Sequence, residues 1–396
     1  MQSENSQSSR ILIVDDNSKN LQVLGGLLQA ENYLVEFAMD GQSAIDWIQK
    51  DAFDLVLLDI MMPGIDGYEV CTILKKDPDN IDLPIIFLTA KNDHESVIEG
   101  FKVGAVDYVT KPFIKDELLA RVRTHLEIKK SKDKLAEYLK EIESKSKSIT
   151  ASIKYAKNIQ EAMLKTSEAY KDQLPEHFIL YMPKDIVSGD FYWFTCIDNL
   201  VIIAVMDCTG HGVPGALMST LGVTLLNEIV FSDKIVSPNQ ILNSLRKKLI
   251  NALGQKGYTV TVKDGIEGSI FCFDTMMKDF YYAGSSNSLL IIRDENLKEI
   301  KPKKMPIGYG TSDTDYENHL LQLDKGDQVY MFSDGYVDQF GGPQFKKFLM
   351  RRFKEVIENH QHLPLKKQKE ALENELNAWK DDHEQTDDIL VLGLRF

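Results

Sequence analysis

The sequence lacks several features that would define whole classes of protein. Its four cysteines form no CxxC pair and are too scattered for a disulfide framework or a zinc knuckle, which favours a reducing, cytoplasmic environment. No apolar run approaches the roughly 20 residues that a membrane span requires. The polar N-terminus has no signal-peptide core. We therefore expect a cytoplasmic protein without a membrane partner.

Positive charge is also scarce. Lys and Arg number 46 against 60 Asp and Glu, and the resulting net charge of -14 disfavours nucleic acids and anionic membranes as partners. The composition is otherwise that of a globular protein, with 43% hydrophobic and 27% charged residues. A chain of 396 residues exceeds the size of one ordinary hydrophobic core, so we predict two or three domains.

Residues 10–126 alternate short β-branched runs with amphipathic segments. Five strands are predicted to begin near residues 11, 33, 55, 85 and 106, and five helices near residues 18, 42, 67, 92 and 115. This α/β pattern predicts a doubly wound (βα)5 parallel sheet, with an active crevice at the carboxyl ends of its strands. Residues 1–9 are predicted to form a disordered tail.

Several chemically active residues follow these predicted strands directly. Asp15 and Asp16 come after the first strand, and Asp59 comes after the third. Thr89 ends the fourth strand, and Lys111 follows the fifth. Three clustered carboxylates favour a bound Mg²⁺ ion. A carboxylate nucleophile, a metal, a cation and a hydroxyl donor together suit phosphoryl transfer.

With these residues, the segment resembles the receiver domain of two-component response regulators. The matching strings are Asp15-Asp16, LLDIMMPGIDG around Asp59, Thr89-Ala90 and Lys111-Pro112. The resemblance implies that a histidine kinase or phosphotransfer protein phosphorylates Asp59. It also implies one Mg²⁺ ion held by Asp15, Asp16, Asp59 and the carbonyl of Met61, phosphoryl contacts from Lys111 and Thr89, and a switching aromatic ring at Tyr108.

Residues 127–170 are predicted to form a long helical linker, because they are rich in Lys, Glu, Ser and Ala and lack proline and glycine. One heptad position carries only apolar residues, which are Ile128, Leu135, Ile142, Ile149, Ala156 and Met163. This pattern favours a two-stranded coiled coil and hence a homodimer. The other seam position includes Lys145 and Ser152, so a solvated connector helix is the alternative interpretation.

Residues 171–396 are predicted to form an α+β domain, an αββα sandwich of two sheets flanked by helices. Aspartates flank its buried strands: Asp190 in VSGDFYWF, Asp207 after VIIAVM, Asp334 in SDG, and Asp387-Asp388 before the last strand. Carboxylates at the ends of buried strands are costly without counter-charge. Two bridged divalent ions would compensate them and would activate a water molecule for phosphoester hydrolysis.

This region resembles the metal-dependent PPM phosphatases, in the bacterial branch typified by the stage II sporulation protein E phosphatase. The strings that carry the resemblance are KDIVSGDFYW, DCTGHGVPGALMS, AGSSNSLLIIR, MPIG, FSDGYVD and TDDILVLGL. It implies that Asp190, Asp207, Asp334 and Asp387 are the catalytic residues of a site with two or three Mn²⁺ or Mg²⁺ ions. The implied metal ligands are these four residues, Asp388 and the carbonyl of Cys208.

The chain departs from the family pattern at several positions. Ile186 stands where eukaryotic relatives have a phosphate-binding Arg, so phosphate recognition is unassigned, with Lys184 as a candidate. Leu390 replaces a usual Thr or Ser and is expected to face the core. His211 is interpreted either as a general acid or as a residue of loop structure, and we favour the second. A reactive thiol at Cys208 is disfavoured because nothing nearby would lower its pKa.

The leading hypothesis is therefore a response-regulator phosphatase. Phosphorylation of Asp59 would control metal-dependent hydrolysis of phosphoserine or phosphothreonine on a partner protein. By resemblance, that partner is a phosphorylated anti-sigma-factor antagonist of a partner-switching pathway. The alternative is a phosphorylation-gated scaffold that has a phosphatase fold and binds partners without turnover.

Overall fold

The computed structural model describes residues 8–90, 94–164, 173–255, 263–276, 279–308 and 314–396. The chain divides into two compact units, one ending at Ser146 and the other beginning at Lys147. The predicted start at residue 92 of the fourth helix and residues 165–170 of the predicted linker lie outside the described residues. Ser9, predicted to belong to the tail, is buried, and its carbonyl accepts a hydrogen bond from the Leu34 N–H group.

The first unit is built on a five-stranded parallel sheet of order β2-β1-β3-β4-β5, which confirms the predicted receiver fold. Its strands are Arg10–Val14 (β1), Leu34–Ala38 (β2), Leu55–Asp59 (β3), Ile85–Thr89 (β4) and Asp107–Thr110 (β5). Its helices are Ser18–Gln29 (α1), Gly41–Lys50 (α2), Gly67–Lys76 (α3), His94–Lys102 (α4) and Lys115–Met163 (α5), with a 3-10 turn at Pro78–Asn80. Helices cover both faces, so every residue of β3 is buried.

Helix α5 has 49 residues and continues past Ser146 into the second unit. The apolar residues predicted to form one seam of a coiled coil are largely exposed: Ile128 (48% exposed), Leu135 (59%), Ile142 (63%) and Ile149 (61%). A helix of this length with so little buried apolar surface is not stabilised by packing along its middle.

In the described part of the chain, the second unit is built on two large antiparallel sheets, of order β14-β10-β9-β8-β7 with β13 on β9, and β12-β11-β15-β18-β6. Its main strands are Glu176–Met182 (β6), Phe191–Ile197 (β7), Leu200–Cys208 (β8), Gly265–Asp274 (β9), Phe280–Gly284 (β10), Leu289–Arg293 (β11), Gln328–Phe332 (β15) and Ile389–Arg395 (β18). Shorter strands are Asn296–Ile300 (β12), Ile307–Gly308 (β13), His319–Leu321 (β14), Phe340–Gly341 (β16) and Lys346–Lys347 (β17). The last two pair with each other.

The helices of this unit among the described residues are Gly212–Asn227 (α6), Pro238–Ala252 (α7), Gly335–Asp338 (α8), Leu349–His360 (α9) and Leu365–Lys380 (α10). A π-helical turn, Glu228–Ser232, extends α6. Helix α9 begins only at Leu349, because the hairpin of β16 and β17 precedes it. Helices α6 and α7 cover one sheet and α9 and α10 the other, which confirms the αββα sandwich.

The strands alternate their side chains between the layers. In β8, Val201, Ile203 and Val205 pack between the two sheets, whereas Ile202 and Ala204 face α6 and α7. Burial of each large aliphatic side chain contributes about 1.5–3 kcal/mol. Leu390 is fully buried between the sheets, as the sequence predicted.

By length and composition alone, the segment Gly212–Ser232 could cross a membrane. Half of its most apolar stretch is buried within the structure, and core helices of soluble proteins can have the same length and composition.

Candidate functional site

The first candidate site lies at the carboxyl ends of β1, β3 and β5. The Nζ atom of Lys111 is 2.7 Å from Oδ2 of Asp15 and 2.7 Å from Oδ2 of Asp59. Asp15, Asp16 and Asp59 each bring one carboxylate oxygen within 4.8 Å of the other two. Asp15 and Asp59 are buried, whereas Asp16 is exposed. The parallel sheet thus brings these predicted residues together at one edge.

The surroundings of Asp59 combine burial with the close cation of Lys111. Burial raises the pKa of the Asp59 carboxyl group, and the hydrogen bond and charge of Lys111 oppose that rise. The backbone N–H of Met61 donates to the same carboxylate, which places the Met61 backbone beside it. Thr89 is buried at the end of β4. Tyr108 lies on β5, and the guanidinium carbon of Arg121 is 5.6 Å from its ring centroid.

Sequence reasoning missed Asn20 in this site. Its side-chain amide nitrogen is 3.0 Å from both carboxylate oxygens of Asp15. Asn20 lies in the first turn of α1, directly after the acidic pair, and this proximity in the chain was the available signal.

The second candidate site lies at one end of the sandwich. Asp190 immediately precedes β7, Asp207 lies near the end of β8, and Asp334 follows β15. Asp387 and Asp388 immediately precede β18. Strands β7 and β8 belong to one sheet, and β15 and β18 belong to the other. The site is therefore built from strand ends of both sheets.

The negative charges of these carboxyl groups act on one another. Burial, followed by the charges of Asp334 and Asp387, raises the pKa of Asp207 to about 8. The backbone N–H of Asp334 donates to Asp207 and limits the rise. Burial and the charge of Asp207 raise the pKa of Asp190 well above its usual range. Like charges are therefore held next to each other in a poorly solvated site.

The exposure of the carboxylates increases across the site. Asp190 and Asp388 are buried at 2% and 3% exposure, Asp207 and Asp387 are half-buried, and Asp334 is exposed. Desolvation of its carboxyl group, together with the charges of Asp338 and Asp387, nevertheless raises the pKa of Asp334. The site consequently has a closed end at Asp190 and an open end at Asp334.

The donors of this site fit divalent cations. The Oδ2 atom of Asp190 is buried and has no hydrogen-bond partner among the described residues. The strongest influences on the pKa values of Asp190, Asp207 and Asp334 include no lysine or arginine. Buried carboxylates without a counter-charge are costly, and oxygen-only ligands suit Mg²⁺ or Mn²⁺. The donors present are therefore of the type that divalent cations prefer.

Close backbone packing shapes the closed end of the site. A Cβ atom on Gly189 would lie 2.5 Å from the carbonyl oxygen of Gly210, and one on Gly215 would lie 2.3 Å from the same atom. Both positions therefore require glycine. The loop before α6 is packed directly against the segment that carries Asp190.

Asp388 is held differently from the other acidic residues. Its two carboxylate oxygens each accept a backbone N–H at 2.7 Å, one from Lys184 and one from Gly189. Asp387 is less constrained, and its Oδ1 atom accepts the N–H of Asp388 at 2.8 Å. This geometry favours Asp387 over Asp388 as a metal ligand and gives Asp388 a role in fixing the loop before Asp190.

Lys184 and His211 form a short chain of polar contacts beside this loop. Nζ of Lys184 lies 2.9 Å from Nε2 of His211, and Nδ1 of His211 lies 2.6 Å from Oδ2 of Asp185. An ammonium can only donate, so Nε2 accepts and Nδ1 carries the proton. Both ring nitrogens are occupied, which favours the loop-structure interpretation of His211. Burial raises the pKa of the Cys208 thiol, in agreement with an unreactive cysteine.

Two further polar residues were missed by sequence reasoning. Glu267 on β9 lies directly opposite Asp207 on β8 and adds another negative charge to the cluster. Gln160 on α5 is buried, and its side chain accepts the N–H of Ser188 at 3.1 Å and donates to the Ser188 carbonyl at 2.6 Å. It also donates to the hydroxyl of Ser219 on α6. The alternation of side chains along β9 could have indicated that Glu267 lies near Asp207. A glutamine such as Gln160 in a polar helix gives no comparable signal.

Comparison with known proteins agrees with both halves of the chain. Residues 11–123 match the family model described as the response regulator receiver domain, and residues 198–396, just over half of the chain, match stage II sporulation protein E (SpoIIE). The solved SiaA-PP2C domain of Pseudomonas aeruginosa is 32% identical with a TM-score of 0.58, and the match covers 63% of this chain and 98% of that domain.

Curated relatives match the receiver half. The response regulator PleD of Caulobacter vibrioides is 44% identical over 117 residues, which are 30% of this chain and 26% of that protein. A probable cyclic di-GMP phosphodiesterase of Vibrio cholerae is 43% identical over 133 residues, which are 34% of this chain and 30% of that protein. The chain spans less than a third of either relative. Both predicted resemblances are thus confirmed, and the chain belongs to the SpoIIE family, with a response regulator receiver domain joined to a SpoIIE-type phosphatase domain.

Proposed function

We propose that this protein is a metal-dependent serine/threonine protein phosphatase whose activity is controlled by phosphorylation of Asp59. The observation that carries the proposal is the cluster of mutually repelling carboxyl groups around Asp207, which extends from the buried Asp190 to the exposed Asp334. Asp190, Asp207, Asp334, Asp387 and the carbonyl of Cys208 would hold two Mn²⁺ or Mg²⁺ ions. Such ions lower the pKa of bound water and stabilise the charge that develops on a transferred phosphoryl group.

The protein's own residues set the geometry for that chemistry. The Asp388 carboxylate fixes the backbone before Asp190 by accepting hydrogen bonds from two backbone N–H groups. Ser333 hydrogen-bonds to Asp190, which leaves the second oxygen of that carboxylate for a cation. The substrate phosphoester would enter from the open end at Asp334. No protein nucleophile is required.

For the receiver, we propose that Asp59 accepts a phosphoryl group from a histidine kinase or phosphotransfer protein. Asp15, Asp16 and the Met61 carbonyl would hold one Mg²⁺ ion, and Lys111 would contact the phosphoryl oxygens. The contacts of Lys111 with both buried carboxylates support this role. Thr89 would also contact the phosphoryl oxygens, and Tyr108 would respond to the phosphoryl group, which carries about two negative charges at neutral pH.

We further propose that the signal travels along α5. In this proposal, the receiver spans residues 10–126, the linker spans residues 127–170 and the phosphatase domain spans residues 171–396. The exposed residues Leu135, Ile142 and Ile149 support pairing of this helix in a homodimer. A change in register would move Gln160, and Gln160 holds both backbone polar groups of Ser188, two residues before Asp190.

The proposed substrate is a phosphorylated anti-sigma-factor antagonist, a partner suggested by family resemblance. The decisive experiment measures phosphate release from phosphoserine proteins with Mn²⁺ or Mg²⁺, with the receiver phosphorylated or not, and compares wild type with Asp207→Asn. We expect release by wild type and a loss of at least 100-fold in the variant. Metal-dependent partner binding without any release would instead establish the scaffold alternative.

A further inference from the structure

A cavity of about 430 Å³ adjoins the open end of the phosphatase site. Asp334 forms part of its wall, and the turn at Ser286–Ser288 between β10 and β11 also lines it. The segment that follows β12, including Lys301 and Lys304, closes another side. Its volume lies in the range of cavities that bind ligands or short peptide segments.

The floor of this cavity is apolar. Phe332 from β15, Val337 from α8 and Met350 from α9 line it. Phe332 is buried and belongs to the core under α9, whereas Val337 and Met350 are only partly buried. The floor is therefore anchored to the core and still offers apolar surface to an incoming side chain.

The rim of the cavity carries positive charge in a strongly acidic protein. Lys301, Lys303 and Lys304 are all exposed, and the side chain of Lys301 is 74% exposed. Glu299, the nearby acid, lies 2.9 Å from Lys354 and 3.4 Å from Lys301. Because Lys354 already compensates Glu299, Lys301 and Lys304 form a positively charged edge in the same lining as the carboxylate of Asp334. Such an edge favours an acidic partner.

We propose that this cavity binds the polypeptide segment next to the phosphorylated residue of the protein substrate, and that it selects segments carrying an acidic and an apolar side chain. The inference rests on the proposed phosphatase function. With the phosphoester at the acidic cluster, an adjacent apolar side chain reaches the floor at Phe332 and Met350. An acidic side chain reaches Lys301 and Lys304. These contacts lie beside the reacting atoms, so they act on substrate choice rather than on the chemical step.

The test uses the full chain with Mn²⁺ and two synthetic phosphoserine peptides that share a leucine and differ only in flanking glutamates or lysines. We expect wild type to favour the acidic peptide by about tenfold in kcat/KM, through KM, and the Lys301→Glu/Lys304→Glu variant to prefer the basic peptide. The matched control, Lys325→Glu/Lys366→Glu, changes two other exposed lysines by the same charge and should keep the wild-type ratio.

The ratio between two peptides within one variant is independent of the fraction of active enzyme. If the double variant does not fold, Lys304→Gln should reduce the preference without reversing it. A wild type that hydrolyses both peptides equally, or a double variant that keeps the acidic preference, would overturn the inference and leave the phosphatase proposal standing. If wild type hydrolyses neither peptide and also fails to hydrolyse p-nitrophenyl phosphate, both proposals fall.

Discussion

The metal-free phosphatase domain should lose stability as the pH rises, and Asp207→Asn should remove much of that loss. The folded-state pKa of Asp207 is about 8, against a usual value of 3.8. Between these values the folded chain keeps a proton that the unfolded chain has released, so the free energy of unfolding falls as the pH increases. The difference is roughly four pH units at about 1.4 kcal/mol each, which gives an upper limit of about 6 kcal/mol.

The expected effect is smaller than that limit. Asp207 is half-buried and shares its proton with neighbouring carboxyl groups, so we expect about 1–3 kcal/mol between pH 5.5 and pH 8.5. This corresponds to a fall in Tm of between about 2 and 12 °C for a domain of this size. An asparagine at position 207 does not titrate and should flatten the dependence.

Differential scanning calorimetry of the full chain with a chelator measures this effect, and hydrogen exchange in β8 and β18 assigns the transition to the phosphatase domain. Adding Mn²⁺ at pH 8.5 should restore the wild-type Tm, because a ligand that binds only the folded state stabilises it. Asp294→Asn, the same change at an exposed turn, is the control. Equal pH slopes in wild type and Asp207→Asn, or equal stabilisation of both by Mn²⁺, would refute the reasoning.

Three further outcomes are expected. Replacing Lys145 and Ser152 with leucine should lock the helix seam and make phosphate release insensitive to Asp59 phosphorylation; an unchanged response would exclude the register mechanism. Gln160→Ala should reduce phosphate release, and Gln160→Glu should reduce it further because a carboxylate would face the Ser188 carbonyl, as steady-state assays on both variants can check. With a disulfide reagent at pH 8, Cys196 should react first, because burial raises the pKa of Cys71 to about 11 and of Cys272 to about 12; rapid labelling of either would contradict this.

Much of the fold could be predicted because strand burial leaves a clear pattern. The apolar runs of β3, β8 and β18 were predicted nearly to their observed bounds. The strands β12, β14 and β17 were not, since they have two to five residues and include exposed polar side chains. The hairpin that delays the start of α9 is set by packing against α10, which local sequence does not encode.

Some residues of the candidate site could likewise be predicted from the sequence, and others could not. Aspartates at strand ends could be identified because a charged residue interrupts an apolar run there. The partners that fix them could not, because a side chain such as Gln160 acquires its role only when α5 packs against the segment that carries Ser188. The exposed position of Asp334 and the cavity beside it likewise depend on how several elements meet.

The residue proposed to control activity and the residues proposed to select substrates lie at different ends of the site. Gln160 contacts the backbone next to Asp190 at the closed end, whereas the lysine rim lies next to Asp334 at the open end. On our proposals, a movement of α5 changes how Asp190 presents its unpartnered oxygen, and the substrate segment engages the opposite side. The two ends are linked through Asp207 and Asp387, because the charge of Asp207 raises the pKa of Asp190 and the charge of Asp387 raises the pKa values of both Asp190 and Asp334. Regulation should therefore alter kcat for every substrate alike, and the lysine rim should alter the ranking of substrates in both signalling states.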